Sequence, residues 1–353
     1  MVGIIGYGAY LPRFRIKKDE YIKTWNIFLV KGINEKTVPA FDEDATTMGA
    51  EAAISALRSS GAESSDIDAV FWASTSAPYT LKMTAPTIAL ALGVRADIYT
   101  ADFAHSEKAG ISALIAASDY VSSGRGKRAI VVASDVLSGP PGNIPETEQG
   151  VGCGAAAFVV GSGGTIAELE ASSSMTSEFA DRWRTGAETD VIQALDNPRF
   201  AQDYGYVWHV SEAAKNLVSK VGKSFEDFNH IILQQPNGDW PLVAAGKLGL
   251  QPAVTQKGMV IQNTGDTGVA SVPLGLAAVL DVAQPGERIL AVAYGGSSAS
   301  DAISLLVTDE IEGKRASPSF AKLIERKMYL SYIEYAKQKN LIPKKMKVSY
   351  IGL

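Results

Sequence analysis

The chain has 353 residues, of which 46% are apolar, and its formal net charge is −5. This length supports one large domain or two ordinary ones, and the acidic balance disfavours a nucleic-acid-binding protein, which usually has a basic surplus. The single cysteine, Cys153, excludes an internal disulfide and a cysteine-based zinc site, and the three histidines show no metal-ligand spacing. No apolar run reaches the length of a membrane span, so we expect a cytoplasmic protein without a metal site.

The chain begins with an apolar stretch, Met1–Tyr10, which predicts a buried first strand. Positive charges follow this stretch instead of preceding it, so it lacks the pattern of a signal peptide. Gly6-Tyr7-Gly8 resembles the start of a dinucleotide-binding loop. However, Leu11 stands where the third glycine should be, and Pro12 prevents the helix that should follow. We therefore reject a dinucleotide site here.

Two parts of the chain present the same order of elements, with apolar runs that predict strands and small-residue stretches that predict helices. The first part has strands at Ile67–Ser74, Ala129–Ser134 and Ala155–Val160, and a helix at about Glu107–Ser123. The second part has strands at Phe228–Gln235, Ile289–Tyr294 and Ala302–Val307, and a helix at Thr267–Ala283. Matched elements lie about 160 residues apart, which indicates an internal duplication.

Both predicted helices are rich in alanine and glycine. Small residues all round a helix let other backbones approach closely, which favours a central layer between two sheets. The continuous apolar strands are typical of sheets covered on both faces. The sequence therefore predicts an α/β protein with two βα halves, residues 1–165 and 166–316, and a helical tail, residues 317–353. The alternative is two unrelated α/β domains of similar pattern.

The tail has apolar residues at helical spacing, so we predict an amphipathic helix there. Its apolar face consists of Phe320, Leu323, Ile324, Met328 and Tyr332. Such a face either binds a partner or packs on the chain's own domain, and the sequence favours neither.

Several stretches match those of one protein family at corresponding places along the chain. They are Val2–Pro12, Val38–Ala53, Pro78–Lys82, Lys108–Gly110, Gln235–Gly238, Asn263–Thr264, Leu274–Val282 and Tyr294–Ala302. Any one of them is a weak signal, but together they are specific. The chain thus resembles the thiolase superfamily, and specifically the 3-hydroxy-3-methylglutaryl-CoA synthase group of archaeal type, over nearly its whole length. The resemblance implies the thiolase fold, a five-layered αβαβα sandwich.

Members of this family carry an acyl group on a cysteine at the N-terminus of the first central helix, where free N–H groups hold an oxyanion. Aligned on the Lys-Ala-Gly stretch, that cysteine position is occupied here by Glu107. The resemblance places Gln234 at the position of the family histidine and Thr75 at that of the acid/base glutamate. The chain retains the family asparagine as Asn263 and the family's glycine-rich turn at Gly296.

These substitutions argue against acyl transfer by the family's usual route. A carboxylate at Glu107 would carry an acyl group as a mixed anhydride, which is far less stable than a thioester. We interpret Cys153, in a Gly-Cys-Gly stretch before a late strand, as a small buried residue and not as a replacement nucleophile. Asp239 stands where the family has a lysine suited to a CoA phosphate, and an acid there would repel that group.

Our first hypothesis is a non-catalytic subunit. In known complexes a synthase-like chain pairs with an active thiolase-like chain and a small zinc-ribbon/OB-fold protein. Gln234-Gln235, Asn263–Asp266 and Leu323–Tyr335 are similar to the cysteine-lacking, synthase-like subunit of the bacterial diacetylphloroglucinol acetyltransferase complex. The resemblance implies a homo- or heterodimer, an acyl-CoA or acyl-carrier thioester as substrate, no covalently bound cofactor, and zinc only on a partner. It implies no membrane or nucleic-acid partner.

Our second hypothesis is an enzyme with altered thioester chemistry. Glu107 at a helix N-terminus would be held as an anion and act as a general base, with Asn263 and the Gly296 backbone as an oxyanion site. The reaction would be decarboxylation, hydrolysis, or retro-aldol or Claisen cleavage, and His105 could assist. A third hypothesis is an acyl-binding module without turnover. We favour the first, because Asp239 and Thr75 both depart from the catalytic pattern.

Three further features are interpreted as structural. Asp42-Glu43-Asp44 stand before a predicted helix and suit its N-terminus. We interpret His209 as a packing residue with a satisfied hydrogen bond. The segment Asp181–Arg184 matches a family segment, and we assign it no role.

Overall fold

The computed structural model describes residues 1–137, 148–183, 193–194, 197–296, 299–339 and 342. Its strands are β1 (Val2–Tyr10), β2 (Phe14–Lys17), β3 (Glu35–Val38), β4 (Ala69–Ala73), β5 (Tyr99–Phe103), β6 (Arg128–Val136), β7 (Cys153–Ser162), β8 (Ala167–Thr176), β9 (Arg182–Trp183), β10 (Gln193–Ala194), β11 (His230–Leu233), β12 (Arg288–Gly295), β13 (Ala299–Val307) and β14 (Met328–Tyr329).

The helices begin and end close to the small-residue and capping signals of the sequence. They are α1 (Lys18–Trp25), α2 (Ala45–Ser60), α3 (Ala85–Ala91), α4 (Ala109–Ser122), α5 (Pro198–Phe200), α6 (Trp208–Lys220), α7 (Trp240–Lys247), α8 (Pro252–Gln256), α9 (Ile261–Thr264), α10 (Ser271–Leu280), α11 (Phe320–Glu325) and α12 (Tyr332–Gln338). Asp44 caps α2 by accepting the Thr47 N–H at 2.7 Å, as its acidic N-terminus predicts. Within the described ranges, no helix is both long and apolar enough to cross a bilayer.

Nine strands form one large sheet in the order β11-β12-β13-β8-β1-β7-β6-β4-β5. The sheet has two limbs, because β1 pairs along most of its length with β7 but with β8 only through Gly3 and Ile4. One limb ends at β5 and the other at β11, and the chain passes from the first to the second between Ser162 and Ala167. The division of the chain into domains at residues 165 and 316 stays a prediction.

Three apolar clusters show how the layers stack. The central cluster contains α4 and α10 together with inward-facing residues of both limbs, such as Phe158 and Ile303. The second cluster joins α2 and α3 to the opposite face of the first limb, and the third joins α6 and α7 to the opposite face of the second limb. The order is therefore helix, sheet, helix, sheet, helix, which confirms the predicted five layers.

The small residues of the central helices are needed for this close packing. A Cβ placed on Gly110 of α4 would lie only 2.9 Å from the carbonyl oxygen of Val269, in the short helical turn that leads into α10. The helices are also shorter than predicted. In particular, α4 starts at Ala109, so Glu107 lies in the turn just before it. A group at that point faces the free N–H groups of the helix.

The predicted single amphipathic helix in the tail is wrong. The tail forms α11, then strand β14, then α12, because the N–H groups of Met328 and Leu330 donate to carbonyls of Arg13 and Arg15 beside β2, both at 2.8 Å. Pairing with an existing strand thus overrides the helical periodicity. Of the predicted apolar face, Phe320 and Leu323 join the central cluster and Tyr332 joins another, whereas Met328 is exposed.

The two ends of the described chain meet in a small unit that we call the tail lobe. It consists of the sheet β14-β2-β3 with α1 and α12. Tyr21 of α1 contacts the rings of Tyr332 and Tyr335 of α12, with ring centroids 5.4 and 6.0 Å apart. The buried residues of the lobe are Ile16, Tyr21, Val38, Tyr332, Tyr335 and Ala336. The tail therefore packs on the chain's own fold.

Candidate functional site

Glu107 points into a charged cluster between the two limbs. Its Oε1 lies 2.7 Å from Nη2 of Arg182, and its Oε2 accepts the Gly296 N–H at 2.8 Å. The Glu107 side chain is only 13% exposed. The structure thus brings together two predicted site positions, Glu107 and Gly296, and adds an arginine to which the sequence analysis assigned no role.

Arg182 also contacts a second carboxylate. Its Nη1 lies 3.3 Å from Oδ2 of Asp266, whose Oδ1 accepts the Gly268 N–H at 2.9 Å. Asp181 is buried next to it and accepts the Tyr294 hydroxyl at 2.8 Å. We call Glu107, Arg182 and Asp266 the charge cluster.

The charge cluster has more buried acids than bases, which shifts its titration. Burial raises the pKa of the Glu107 carboxyl and of the Asp266 carboxyl, and the Arg182 guanidinium only partly opposes this. Burial alone would lower the pKa of Arg182, but Glu107, Asp266 and Asp181 outweigh it and hold that pKa above its usual range. Arg182 therefore stays charged, and a proton binds more readily than usual at the two coupled carboxyls.

Thr75, at the family's acid/base position, belongs to a different arrangement. Its N–H donates to Oδ1 of Asp135 and its hydroxyl to Oδ2 of Asp135, both at 2.8 Å. The buried Asp135 carboxylate also accepts from the hydroxyls of Ser74 and Ser76 at 2.8 Å each, and from the Ser76 N–H at 3.0 Å and the Val269 N–H at 2.8 Å. This network, which we call the Asp135 hub, ties the loop after β4 to the turn before α10.

Gln234, at the family's histidine position, is buried at the end of β11. Its Nε2 donates to the Gly268 carbonyl at 3.0 Å, and its Oε1 has no hydrogen-bond partner among the described residues. Gly268 also contacts Asp266, so Gln234 adjoins the charge cluster through this glycine. A neutral amide can donate and accept hydrogen bonds, but it cannot exchange protons near neutral pH.

Asn263, retained from the family pattern, lies in α9 and is half-buried. Its N–H donates to the Val260 carbonyl at 3.1 Å, but its side chain makes no hydrogen bond with another described residue. The structure places Asp266, three residues later, in the charge cluster instead. An oxyanion role for Asn263 stays a prediction.

A short segment, residues 148–152, connects the charge cluster to the tail lobe, and we call it the strap. At one end, the Tyr332 hydroxyl donates to the Glu148 carboxylate at 2.7 Å. Further along, the Gly150 carbonyl accepts the Asp266 N–H at 2.8 Å, and the Asp266 carbonyl accepts the last N–H of the strap at 2.7 Å. The backbone of Asp266 is therefore held from both sides by the strap.

The remaining candidates lie outside the charge cluster. Cys153 is fully buried in β7, and burial raises the pKa of its thiol to about 11, so it is not an activated nucleophile. His105 is exposed, with a left-handed φ of 68°. His209 bonds Ser177 Oγ at 2.7 Å, in agreement with a packing role. Asp239 pairs with Lys31 at 2.9 Å.

Sequence reasoning missed Arg182, Asp181, Asp266 and Asp135. Weak signals existed, because Asp181-Arg182 lies in a stretch that matched the family and Asp266 ends a matched Asn-x-Gly-Asp run. Neither signal indicated that the residues would meet. No group of three or more histidine, cysteine or acidic residues in the described part of the chain is arranged to hold a metal ion.

Comparison with known proteins gives consistent relatives across the whole chain. The chain is 40% identical over 339 residues to a hydroxymethylglutaryl-CoA synthase of Pyrococcus horikoshii, covering 95% of each chain. It is 38% identical over 347 residues to that of Archaeoglobus fulgidus, covering 97% of this chain and 99% of the relative. A solved structure of MvaS in complex with 3-hydroxy-3-methylglutaryl coenzyme A superposes with a TM-score of 0.85 at 20% identity, over 98% and 94% of the two chains. No protein-family model matches.

Proposed function

The chain belongs to the hydroxymethylglutaryl-CoA synthase family, and we propose that it is a non-catalytic member that serves as a subunit of an acyltransferase complex. One observation carries this proposal. The carboxylate of Glu107 stands before the first central helix, and its two oxygens are engaged by the Arg182 guanidinium and the Gly296 N–H. The group at this position is thus a paired anion and not an available nucleophile.

The geometry of Glu107 also resembles that of a loaded acyl carrier. In an acylated cysteine, one sulfur separates Cβ from the carbonyl carbon. In glutamate, one methylene separates Cβ from the carboxyl carbon. The Gly296 N–H, which would stabilise the oxygen of an acyl group, already donates to Glu107 Oε2 at 2.8 Å. Glu107 therefore occupies the space that an incoming acyl group would need, and it takes up the N–H donor that would bind the acyl oxygen.

The two other substituted positions support the same reading. Thr75 donates its hydroxyl to Asp135, and Gln234 is a neutral amide bonded to the Gly268 carbonyl. Neither side chain ionises near neutral pH, so neither can take over the role of the family's acid or base. At the positions that the family resemblance assigns to nucleophile, acid and base, the side chains instead form hydrogen bonds or an ion pair within the fold.

We further propose that a thiolase-like catalytic subunit pairs with the chain along β5. Strand β5 is the end of the large sheet, and among the described strands it pairs on one side only, with β4. Asp102 of β5 accepts the Thr84 and Ala85 N–H groups at 2.6 and 2.9 Å, which fixes the start of α3 beside this edge. Leu81 and Leu90 near it are 94% and 81% exposed. A strand edge beside exposed leucines is typical of a pairing surface.

We call β5, Leu81 and Leu90 the edge face. A second copy of the chain would use the same surface, so the proposal allows a homodimer or a heterodimer at this stage. The third member of the complex would be a small zinc-ribbon/OB-fold protein. The acyl group handled by the complex would be a CoA or carrier-protein thioester, since the related MvaS structure holds 3-hydroxy-3-methylglutaryl coenzyme A.

One observation favours the alternative of an enzyme that uses Glu107 as a general base. Burial raises the pKa of this carboxyl, which moves it towards the range in which proton transfer is efficient. Such an enzyme would decarboxylate, hydrolyse or cleave a bound thioester. The ion pair with Arg182 opposes this role, because it stabilises the carboxylate and makes it a weaker base.

Labelling with radioactive acetyl-CoA, together with a turnover assay, separates the two possibilities. We expect no covalent label on the wild-type chain and none on Glu107→Ala. We expect label on Glu107→Cys, because a thiol before α4 would receive the acyl group while the Gly296 N–H becomes free for its oxygen. Covalent label on the wild type would contradict the proposal. So would turnover of malonyl-CoA or 3-hydroxy-3-methylglutaryl-CoA by the wild type that Glu107→Gln abolishes.

Purification from the chain's own cells tests the complex. We expect a fixed ratio of this chain, a cysteine-bearing thiolase-like chain and a zinc-containing protein in native mass spectra. Leu90→Lys on the edge face should release the thiolase-like chain, and Leu242→Lys on α7, where Leu242 is also exposed, is the matched control. Recovery of this chain without a thiolase-like chain or a zinc-containing protein would contradict the subunit role.

A further inference from the structure

We propose that the tail lobe is a docking surface for an acidic protein partner with apolar side chains at its centre. This surface is distinct from the edge face. The inference is independent of whether Glu107 is catalytic, because it rests on charge and exposure in the tail lobe alone.

The tail lobe and the residues that flank it are strongly basic in an otherwise acidic chain. Residues 13–31 contain six Lys or Arg and two Asp or Glu, and residues 322–339 contain five and two. This is a surplus of seven positive charges, whereas the formal net charge of the whole chain is −5. The two stretches meet through α1, α12 and the strands β2 and β14, so their charges belong to one surface.

Many of these charges are available to a partner. Six exposed basic side chains of the tail lobe and its flanking residues form no ion pair within the described ranges, namely Arg13, Lys17, Lys18, Lys322, Arg326 and Lys337. Three others are neutralised locally, since Lys23, Lys327 and Lys31 pair with Glu20, Glu35 and Asp239. Carboxylates of a partner would therefore find unpaired counter-charges.

Apolar side chains share this surface with the charges. Ile22 and Trp25 of α1 are 44% and 45% exposed, and Ile333 of α12 is 60% exposed. The Trp25 ring contacts the Tyr332 ring edge to face, with centroids 5.8 Å apart, which places the end of α1 against α12. Apolar and aromatic residues surrounded by charges are typical of a protein interface.

The mixture of charges favours a protein over other anionic partners. A nucleic acid would leave Ile22, Trp25 and Ile333 uncovered, because it is bound mainly through its phosphates. A membrane rich in anionic lipids would repel Asp19 and Glu334, which are exposed in the same lobe. A protein surface can place its own basic groups against those two acids and its acidic groups against the lysines.

The test uses a fluorescent synthetic helical peptide with glutamates on one face and leucines on the other. We expect it to bind the full-length chain more tightly at low salt than at physiological salt, and to protect Lys18 and Lys337 from acetylation. The double variant Lys18→Glu/Lys337→Glu should weaken binding about tenfold. The matched control Lys247→Glu/Lys257→Glu reverses two exposed lysines outside the lobe and should leave binding unchanged.

Two further measurements complete the test. Circular dichroism of the double variant should match that of the wild type, because both substitutions are on exposed helical positions. Trp25→Ala should weaken peptide binding without changing its salt dependence. The proposal is overturned if the control pair weakens binding as much as the lobe pair. It is also overturned if phosphatidylserine-rich vesicles bind the chain and the peptide does not.

Discussion

Two buried carboxylates near the centre of the molecule are stabilised in opposite ways. Within the described part of the chain, Asp135 accepts hydrogen bonds from neutral hydroxyl and N–H groups of Ser74, Thr75, Ser76 and Val269. Glu107 accepts the Gly296 N–H and pairs with a guanidinium that it shares with Asp266. The charge of Asp135 is dispersed over many fixed dipoles, whereas the charge of Glu107 depends on a single counter-ion.

This difference separates a carboxyl group held by neutral donors from one paired with a charged group. Neutral donors around Asp135 hold its neighbours in place but add no charge to the site. At the charge cluster, two coupled acids compete for one base, and the balance depends on pH. Loss of a carboxylate at position 135 should therefore disturb the fold, whereas loss at position 107 should mainly disturb titration.

The largest effect is expected from Arg182→Met, which removes the counter-ion from the charge cluster. Glu107 and Asp266 would remain buried without it, so we expect a loss of about 3–5 kcal/mol in the free energy of unfolding. Urea unfolding at neutral pH measures this loss. Arg182→Lys keeps a positive charge and is the control, with a smaller loss. A loss for Arg182→Met below that of Arg182→Lys would contradict the ion-pair interpretation.

A smaller effect is expected from Asp135→Asn in the Asp135 hub. The new amide N–H would face the Val269 N–H, so two donors would meet without an acceptor. We expect a loss of about 2–3 kcal/mol in the free energy of unfolding. Asp281→Asn alters a carboxylate that accepts the Tyr7 hydroxyl at 2.7 Å outside the hub, and it serves as comparison. An unchanged stability for Asp135→Asn would show that the dipoles do not hold the anion.

Lys36 of the tail lobe extends the comparison to a buried cation. Burial lowers its pKa from 10.5 to about 7, although its amine contacts the Glu148 carbonyl and the Tyr335 hydroxyl. The unfolded chain therefore binds a proton that the folded chain lacks between these two values, and stability falls as pH falls through that window.

We expect the wild type to lose about 2 kcal/mol of unfolding free energy between pH 9 and pH 7 beyond what Lys36→Met loses. Denaturant unfolding of both chains at the two pH values measures this difference. Lys215→Met, on the exposed face of α6, is the control and should keep the wild-type slope. Equal slopes for wild type and Lys36→Met would refute the assignment.

The smallest effect is expected from Glu107→Gln. A raised carboxyl pKa means that the folded chain holds its proton more tightly than the unfolded chain does, so stability falls as pH rises from the ordinary value of 4.5 towards the folded pKa. Glu107→Gln should flatten this slope and change stability by about 1 kcal/mol or less at neutral pH. Melting temperatures of the wild type and of Glu107→Gln at pH 5 and pH 7 measure this difference in slope. Glu212→Gln, half-exposed on α6, should keep the wild-type slope.

The layers could be predicted from the sequence because they depend on local composition. The alanine and glycine content of α4 and α10 and the apolar runs of β6 and β12 indicated central helices between covered sheets. The tail helix was predicted wrongly because Met328 and Leu330 pair with a strand that lies more than 300 residues earlier in the chain. Periodicity carries no information about such pairing.

The site could be predicted only in part. Glu107 and Gly296 were found through their places in family motifs, and the structure joins them. Arg182 and Asp266 were missed, because each comes from a different segment and no spacing in the sequence links it to Glu107. Thr75 was selected as a substituted acid, but its partner Asp135 is 60 residues away and could not be inferred.

The strap links the segment from β14 to α12 to the middle of the fold. A premature stop codon after Glu325 would delete β14 and α12, and with them the Tyr332 hydroxyl that holds Glu148. The strap would then lose this contact at its outer end, while its inner end still contacts the Asp266 backbone beside Arg182. Loss of β14 and α12 would therefore loosen the segment that contacts the charge cluster. A fusion protein should therefore be joined beyond α12 and never in place of it.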